Sequence, residues 1–391
     1  MYESLKKRFT DQFGTKPGFV FSAPGRTEIG GNHTDHQHGC VLAGAVNLDT
    51  VAAVARSERG AIRVLSEGYP LCEVSLSELE AVPAEAGTTK ALIRGIAARF
   101  AALGHAPVAF DAYVTSTVLP GSGLSSSAAF EVLIGVILNH LGSCGLTAPE
   151  IAQVGQYAEN VYFGKPCGLM DQMGSSVGGA VAIDFADPAA PVVKKVEYDF
   201  TRSGHALCIV DTGSCHADLT DDYADITREM GAVAAHFGKK FLRDVDEGAF
   251  RAALPQLRQE CGDRAVLRTM HFFEEDCRAE QEAQALEQGD FAAFLALVDQ
   301  SGLSSALNLQ NTWSAAAPQQ QAIPVALAVG RELLGGSGAI RVHGGGFAGT
   351  IQAFVPNEKL ETFQQGMEEL LGPGMCHILH IRPQGGCVVL K

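Results

Sequence analysis

Short stretches of alternating or continuous apolar residues are frequent in the first third of the chain. Residues 17–24, 40–56 and 110–118 are rich in β-branched and other apolar side chains, which predicts strands. Residues 90–104 carry apolar side chains at the spacing of one helix face and end in a glycine, which predicts a helix. Residues 1–14 lack the apolar core of a signal sequence and have the pattern of an amphipathic helix.

The pattern changes to long helical stretches after about residue 218, and strands return near the C-terminus. Residues 180–187 and 205–212 predict strands before that change, and residues 339–355 and 377–390 predict strands after it. This order of elements predicts a mixed α+β fold with two lobes.

The boundary between the lobes is expected near residue 200, where the composition is that of an edge strand and a linker. We therefore predict an N-terminal domain of residues 1–200 and a C-terminal domain of residues 201–391. The sequence leaves open whether the last strand returns to the first lobe.

Composition and charge narrow the class of protein. The 391 residues are 46% hydrophobic and 19% charged, as in globular proteins that bury a sizeable core. The net charge of −15 disfavours nucleic acid as a partner, because that binding needs cations to neutralise phosphates. No apolar run reaches the roughly 18 residues of a membrane span. Ten cysteines without CxxC pairs predict reduced thiols in a cytoplasmic protein.

A glycine- and serine-rich turn between a strand and a helix indicates a ligand site. In "LPGSGLSSSAAFEVLIGVILNH", residues 119–140, the glycines permit a tight turn and the apolar stripe of a helix follows. Free N–H groups at a helix start favour anions, so the turn predicts a phosphate site. The alternative is an ordinary serine-capped helix. The candidate residues are Pro120, Gly121, Ser122, Gly123, Leu124, Ser125, Ser126 and Ser127.

The helix after this turn offers a candidate metal site. Glu131 lies one helical turn after Ser127, so the hydroxyl and the carboxylate share a face. Such a pair could hold Mg²⁺ beside a triphosphate. The turn lacks Gly-Lys-Ser/Thr and is therefore not a Walker A loop.

Two further stretches carry candidate chemistry. In "IRVHGGGFAGTIQAFV", residues 340–355, three consecutive glycines indicate either a bulged hairpin turn or backbone that approaches a ligand closely. In "GKPCGLMDQMGSSVGG", residues 164–179, Asp171 lies between methionines, where a carboxylate loses solvation and needs a cation. Arg26 could supply that cation, and such a pair suits phosphoryl transfer. The alternative for Asp171 is a helix cap.

The stretch "GRTEIGGNHTDHQHG", residues 25–39, is too polar for a core and too rich in glycine for a stable helix. Its aspartate and histidines supply hydrogen-bond acceptors and donors. A metal site built from His33, Asp35, His36 and His38 is the less favoured interpretation, and His36 and His38 could also be surface residues.

Four stretches together resemble the GHMP small-molecule kinases, and specifically their galactokinase branch. The resemblance covers nearly the whole chain and is carried by "APGRTEIGGNHTD", "LPGSGLSSSAAFEV", "PCGLMDQM" and "VHGGGFAGTIQAF". It implies transfer of a phosphoryl group from ATP to the C1 hydroxyl of a hexose, with Mg²⁺. It also implies an N-terminal ribosomal-protein-S5-like domain and a C-terminal ferredoxin-like domain, with the site between them. We expect a monomer that binds a small sugar and ATP, with no nucleic acid or membrane partner.

The resemblance assigns roles to single residues. Asp171 resembles the family's base or orienting acid, and Arg26 resembles its charge partner. Ser127 and Glu131 fall where the family binds Mg²⁺ and phosphate. The positions implied for contact with the sugar or for the loop that closes the site are Asn32, His33, Asp35, Gly168, Tyr223, Gly345 and Gly346.

This chain departs from the family pattern at several of these positions. Asn32 replaces a glutamate that in the family accepts from the sugar's 6-hydroxyl, and an uncharged amide would tolerate a carboxylate at C6. A uronic acid or a modified hexose is therefore the alternative substrate. Tyr223 lies five residues before a single Arg228, which departs from the family spacing, and residues 300–310 lack the family's charged pattern.

Other classes are less favoured by the sequence. A non-catalytic sugar sensor on the same scaffold would be expected to lose the acid, the arginine or the serine turn, yet all three are present. A mevalonate- or homoserine-type kinase is disfavoured by the "NHTD" and "CGLMDQ" stretches.

Overall fold

The computed structural model describes residues 2–118, 123–165, 167–214 and 219–390. These residues form strands at β1 Phe19–Gly30, β2 Cys40–Arg56, β3 Ala61–Ser66, β4 Cys72–Ser75, β5 Phe110–Ser116, β6 Ala180–Asp184, β7 Val192–Val196, β8 His205–Asp211, β9 Ala339–His343, β10 Thr350–Pro356, β11 Cys376–Leu379 and β12 Cys387–Leu390. The α-helices are α1 Tyr2–Phe13, α2 Thr89–Ala102, α3 Ser126–Gly142, α4 Ala148–Tyr157, α5 Met170–Val177, α6 Thr220–His236, α7 Glu247–Ala252, α8 Leu254–Glu260, α9 Asp263–Glu287, α10 Phe291–Ser304, α11 Ala322–Leu334 and α12 Leu360–Leu371.

The strands form two sheets. The first has the order β12-β1-β2-β5-β3-β4, and β6 joins it beside β2 with β7 on its outer edge. All its pairings are antiparallel except that of β3 with β5. The second sheet is antiparallel throughout, with the order β11-β8-β10-β9. Since β12 pairs with β1, the last strand lies in the first sheet.

The long strand β2 serves two parts of the first sheet. Residues 40–44 pair with β6, and residues 50–56 pair with β5. The residues predicted as strands at 40–56 are thus one continuous strand. Beneath this sheet, α2 and α3 bury an apolar core that includes Phe21, Phe100, Phe110 and Leu133.

The second sheet is covered on both faces, because alternate side chains along its strands pack against helices on opposite sides. On β8, Cys208 and Val210 pack in a cluster with α11 and α12, whereas Leu207 and Ile209 face a cluster that includes α9 and α10. This second cluster also contains Ile29 of β1, so α9 and α10 lie between the two sheets.

The predicted mixed α+β, two-lobed GHMP kinase fold is confirmed. The exact division at residue 200 stays a prediction, because α9 and α10 pack on both sheets. None of the helices in the described part of the chain combines the length and the apolar composition needed to cross a membrane.

Candidate functional site

The candidate catalytic pair is brought together from β1 and α5. Arg26 donates from Nε to Oδ1 of Asp171 at 2.8 Å, and its Nη2 lies 2.7 Å from the same oxygen. The arginine side chain is 8% exposed, whereas that of Asp171 is 34% exposed. Asp171 therefore loses only part of its solvation, and it has the cation and the hydrogen-bond donor that such a carboxylate needs. Arg26 is the more deeply buried partner of the two.

The serine turn converges on the same pair. The hydroxyl of Ser125 donates to Oδ2 of Asp171, and Nη1 of Arg26 donates to the carbonyl oxygen of Gly123. The backbone N–H of Arg26 also donates to the carbonyl oxygen of Leu124 at 3.0 Å. Ser125 has a φ of 54°, a left-handed conformation that is costly for a residue with a Cβ. The turn is thus held in place by Arg26 and Asp171.

The start of α3 lies beside this pair, because Ser125 directly precedes the helix and donates to Asp171. The helix begins at Ser126, so Ser126 and Ser127 lie in its first turn, where the helix dipole favours an anion. Three other predicted phosphate-binding residues, Pro120, Gly121 and Ser122, lie outside the described residues.

Glu131 lies deeper in α3 and is fully buried. The amide of Gln172 donates to Oε2 of Glu131 and to Oε2 of Glu159, at 2.9 Å in each case. Burial, together with the charge of Glu159, raises the pKa of Glu131 well above its ordinary value. Among the described residues, Oε1 of Glu131 has no hydrogen-bond partner.

This arrangement fits a divalent cation. Two buried carboxylates share a single amide donor, and one carboxylate oxygen is unpartnered within the described ranges. The cation beside the pair is Lys165, whose largely exposed side chain lies 3.6 Å from Glu159. Hard oxygen ligands of this kind suit Mg²⁺. Glu159 was missed by the sequence reasoning because it lies outside the motifs, in the π-helical turn Ala158–Phe163 that follows α4.

The polar stretch after β1 places Asp35 near Asp171 and His33 against Gly345. Nε2 of His33 donates to the carbonyl oxygen of Gly345 at 2.9 Å, and burial lowers the pKa of His33 to about 4. A Cβ on Gly168 would lie 2.5 Å from Oδ2 of Asp35, so only glycine permits this approach. Burial, assisted by the charge of Asp171, raises the pKa of Asp35.

His36 and His38 differ from one another. His36 contacts the ring of His33, with 5.6 Å between centroids, and burial lowers its pKa to about 3, so it is not a surface residue. His38 stacks on Phe241 at 3.6 Å. Over the described ranges, the sole group with three histidine, cysteine or carboxylate ligands close enough for one metal is Cys40, Asp184 and Glu280. The metal interpretation of residues 33–38 therefore gains no support.

The triple glycine forms a turn whose three carbonyl oxygens are all engaged. We call Gly344–Gly346 the glycine loop. Its carbonyl oxygens accept, in order, from Asn32 at 2.8 Å, from His33 at 2.9 Å and from Tyr223 at 2.9 Å. A Cβ on Gly345 would lie 2.5 Å from the Tyr223 ring, and one on Gly346 would lie 2.1 Å from the carbonyl oxygen of Asn311. The glycines are needed because side chains pack directly on the loop backbone.

Tyr223 reaches the site despite its altered spacing in the sequence. Its ring lies 6.5 Å from that of His33 and 5.4 Å from that of Phe347, in each case between centroids. Burial raises the pKa of Tyr223 to about 12, so the phenol is protonated at neutral pH.

Asn32 requires a correction. The sequence predicts it as a sugar contact, but the side chain is 0% exposed and both of its polar groups are engaged. Nδ2 donates to Glu28 at 2.8 Å and to Gly344 at 2.8 Å, and Oδ1 accepts from Asn311 at 2.9 Å. A sugar could reach this amide only by displacing those partners. Asn311 was missed because no motif of the sequence contains it.

Comparisons with known proteins identify the family of this chain. The family model described as the galactokinase galactose-binding signature matches residues 7–56, and that of the GHMP kinases N terminal domain matches residues 91–179. A galactokinase from Streptomyces coelicolor is 31% identical over 366 residues, which cover 94% of this chain and 92% of that protein.

Solved structures share the fold over nearly the full chain. The Lactococcus lactis galactokinase in complex with galactose has a TM-score of 0.81 at 23% identity and covers 99% of both chains. A mevalonate kinase has a TM-score of 0.66 at 14% identity, with 94% of this chain and 100% of that chain covered. The identity and coverage of the Streptomyces protein, together with the galactose-binding signature, show that this chain belongs to the galactokinase family of GHMP kinases.

Proposed function

We propose that this phosphotransferase is an ATP-dependent sugar 1-kinase whose acceptor is galactose. The observation that carries the proposal is the convergence of Arg26, Asp171 and Ser125 at the start of α3. It joins a carboxylate, a fixed cation and an anion-binding helix start in one cleft. The Streptomyces coelicolor and Lactococcus lactis relatives are both galactokinases, which supports galactose as the acceptor.

Asp171 is the group that handles the acceptor proton. Its carboxylate is partly open to the cleft, and Arg26 and Ser125 fix its orientation. As the C1 oxygen of the sugar attacks the γ-phosphorus of ATP, the bond to the β-phosphate oxygen breaks and ADP leaves. The proton of the C1 hydroxyl passes to Asp171 and then to solvent.

Arg26 has a second role in this scheme. Its guanidinium holds both Asp171 and the carbonyl oxygen of Gly123, so it lies between the acid and the phosphate turn. From there it offsets the negative charge that develops on the transferring group. The triphosphate binds to the backbone amides of the turn, which belong to Gly123, Leu124, Ser125, Ser126 and Ser127. The sequence predicts that Pro120, Gly121 and Ser122 also belong to this binding site.

Ser127, Glu131 and Glu159 are the residues that would hold Mg²⁺ beside the triphosphate. The ion supplies charge neutralisation to the phosphate oxygens. Gln172 orients the two carboxylates through its amide, and Lys165 lies 3.6 Å from Glu159 at the exposed side.

The sugar side of the cleft is formed by residues from both lobes. His33 and Asp35 come from the stretch after β1, Gly168 precedes α5, and Tyr223 belongs to α6. The glycine loop closes this side through Gly345 and Gly346. His33 is neutral at pH 7, so it serves as a hydrogen-bonding group rather than as a cation.

The alternative acceptor, a uronic acid or a modified hexose, has less support than galactose. That hypothesis depended on Asn32 at the sugar's C6, and the Asn32 side chain is buried and engaged by protein groups. We therefore favour galactose, in a cytoplasmic enzyme whose small-molecule partners are the sugar and ATP.

A substrate panel tests the proposal. ADP formation with ATP and Mg²⁺ is measured for galactose, galacturonate, glucuronate and N-acetylgalactosamine, and ³¹P NMR identifies the phosphorylated carbon. We expect galactose 1-phosphate, with kcat/KM for galactose about a hundredfold above that for either uronate. A uronate turned over better than galactose, or phosphate placed on C6, would overturn the proposal.

A further inference from the structure

The side chain of Asn32 joins parts of the molecule that lie far apart in the sequence. Its amide nitrogen donates to Glu28 of β1 and to the carbonyl oxygen of Gly344, which is 312 residues away. Its oxygen accepts from Nδ2 of Asn311, which follows α10. Glu28 in turn accepts from the fully buried Arg341 of β9 at 2.6 Å. One carboxamide thus connects the first lobe to two segments of the second.

The backbone of Asn32 is held equally firmly by the long helix α9. Its N–H donates to Oε1 of Glu275 at 3.3 Å, and its carbonyl oxygen accepts from Nε2 of His271 at 2.9 Å. Burial alone would raise the pKa of Glu275, but His271, Arg341 and Arg278 lower it to about 2, so the carboxylate is ionised. The peptide before His33 is therefore clamped from both sides.

The next residue shows what this clamp achieves. His33 has a φ of 58°, a left-handed conformation that non-glycine residues adopt only when their surroundings enforce it. In this conformation Nε2 of His33 reaches Gly345, and Nδ2 of Asn311 reaches the same carbonyl oxygen at 3.2 Å. The strained histidine and the glycine loop therefore meet because Asn32 is fixed.

We propose that Asn32 is a positioning residue: its buried carboxamide fixes the glycine loop of the second lobe over His33 and so sets the shape of the sugar side of the cleft without touching the sugar. The effect of Asn32 on sugar binding rests on the proposed function. The effect of Asn32 on the position of the glycine loop rests on the hydrogen bonds alone. This positioning role differs from the contact role that the sequence predicts, because both polar groups of the side chain are used within the protein.

The variant Asn32→Asp tests this inference with the smallest change in shape. A carboxylate cannot donate, so it would face Glu28 and the carbonyl oxygen of Gly344 with repulsion, while the bond from Asn311 could persist. The variant therefore releases the glycine loop selectively. The matched control is Asn139→Asp, in the last turn of α3. The Asn139 side chain also uses both of its polar atoms within the protein, because Nδ2 donates to the carbonyl oxygen of Leu146 and Oδ1 accepts from the N–H of Leu146.

Hydrogen–deuterium exchange of the unliganded protein is the first measurement, since it needs no substrate. We expect exchange of the backbone amides of residues 343–349 to be faster by about tenfold or more in Asn32→Asp, and unchanged in Asn139→Asp. Unchanged exchange in this segment of Asn32→Asp would overturn the inference, whatever the enzyme's substrate is.

Sugar binding is the second measurement. Trp313 is the single tryptophan of the chain and lies two residues after Asn311, so its fluorescence reports on this segment. We expect Asn32→Asp to raise the Kd and KM for galactose by about tenfold or more, with the Kd for ATP changed less than about twofold. Faster exchange with an unchanged KM for galactose would overturn the positioning role. A parent protein that does not act on galactose would instead overturn the proposed function, and the exchange result would still decide whether Asn32 fixes the loop.

A rescue experiment with a double variant distinguishes loss of positioning from general destabilisation. In the double variant Glu28→Gln with Asn32→Asp, the glutamine can donate to the new carboxylate, which restores one bond with its polarity reversed. We expect the KM for galactose and the exchange rate of residues 343–349 to return at least partway to the parent values. If Asn32→Asp does not fold, Asn311→Ala removes the bonds to Asn32 and to Gly345 from the other side, and the same two measurements apply.

Discussion

The guanidinium of Arg26 donates to Asp171 across 145 residues of sequence, from Nε to Oδ1 at 2.8 Å, while its Nη1 binds the carbonyl oxygen of Gly123. A single buried cation thus links the candidate acid to the candidate phosphate turn. The planar fork of arginine can serve both acceptors at once, which an ammonium group cannot do with the same geometry.

Arg26→Lys should keep the positive charge and lose the fork. We expect kcat to fall by about 10²-fold or more, because neither Asp171 nor the turn is then held in position. The matched control is Arg63→Lys, since Arg63 makes a comparable two-bond pair with Asp111 in the first sheet. Steady-state kinetics and thermal unfolding of both variants check the prediction. An equal loss of kcat in the two variants would show that the effect is general destabilisation.

Glu159→Gln should weaken the binding of Mg²⁺ that we assign to the buried carboxylates. Removing one of the two charges lowers the attraction for the ion, so the Mg²⁺ concentration for half-maximal rate should rise by about tenfold or more. The control is Glu150→Gln on the preceding helix, where the carboxylate caps the helix and is exposed. Titration of the rate with Mg²⁺ at fixed ATP decides the matter. A Glu159→Gln variant with the parent's Mg²⁺ dependence would remove Glu159 from the site.

Glu282→Gln should change how stability depends on pH. Glu282 is fully buried, neither of its carboxylate oxygens has a hydrogen-bond partner in the described part of the chain, and burial raises its pKa well above 4.5. The folded state therefore keeps a proton that the unfolded chain loses above pH 4.5, and stability falls as pH rises toward the folded pKa.

The glutamine variant lacks this titration. Its free energy of unfolding relative to the parent should increase with pH, by up to about 1.4 kcal/mol per pH unit above pH 4.5. Urea unfolding at pH 5 and at pH 8 measures the difference. If the free energies of unfolding of variant and parent differ by the same amount at pH 5 and at pH 8, the titration assigned to Glu282 is contradicted.

Much of the fold follows from periodicity and turn residues, because these report on local structure. The strands β1 and β5 are predicted by their apolar and alternating residues, and the helices α2 and α3 by helical spacing together with a terminal glycine or a preceding serine turn. The motifs also identified Arg26 and Asp171, since their surroundings in the sequence already suggest a paired charge. The structure brings the two together as expected.

The remaining features depend on contacts between distant segments, which spacing does not encode. Asn32 was predicted to contact the sugar, but its side chain is buried by Gly344 and Asn311, both about 280 residues or more away in the sequence. Glu159 belongs to no motif of the sequence, and its link to Glu131 through Gln172 joins separate segments of the chain. For both residues, the role depends on side chains or backbone groups from distant segments, which the local sequence does not reveal.

The rate of Asp171→Asn is the measurement that tests the central claim most directly. The asparagine has the shape of the aspartate and can still accept from Arg26, so folding and the Kd for ATP should be retained. Because it cannot take the acceptor's proton, we expect kcat with galactose to fall by about 10²–10⁴-fold. A kcat near that of the parent, with unchanged ATP binding, would contradict the assignment of Asp171 and with it the site.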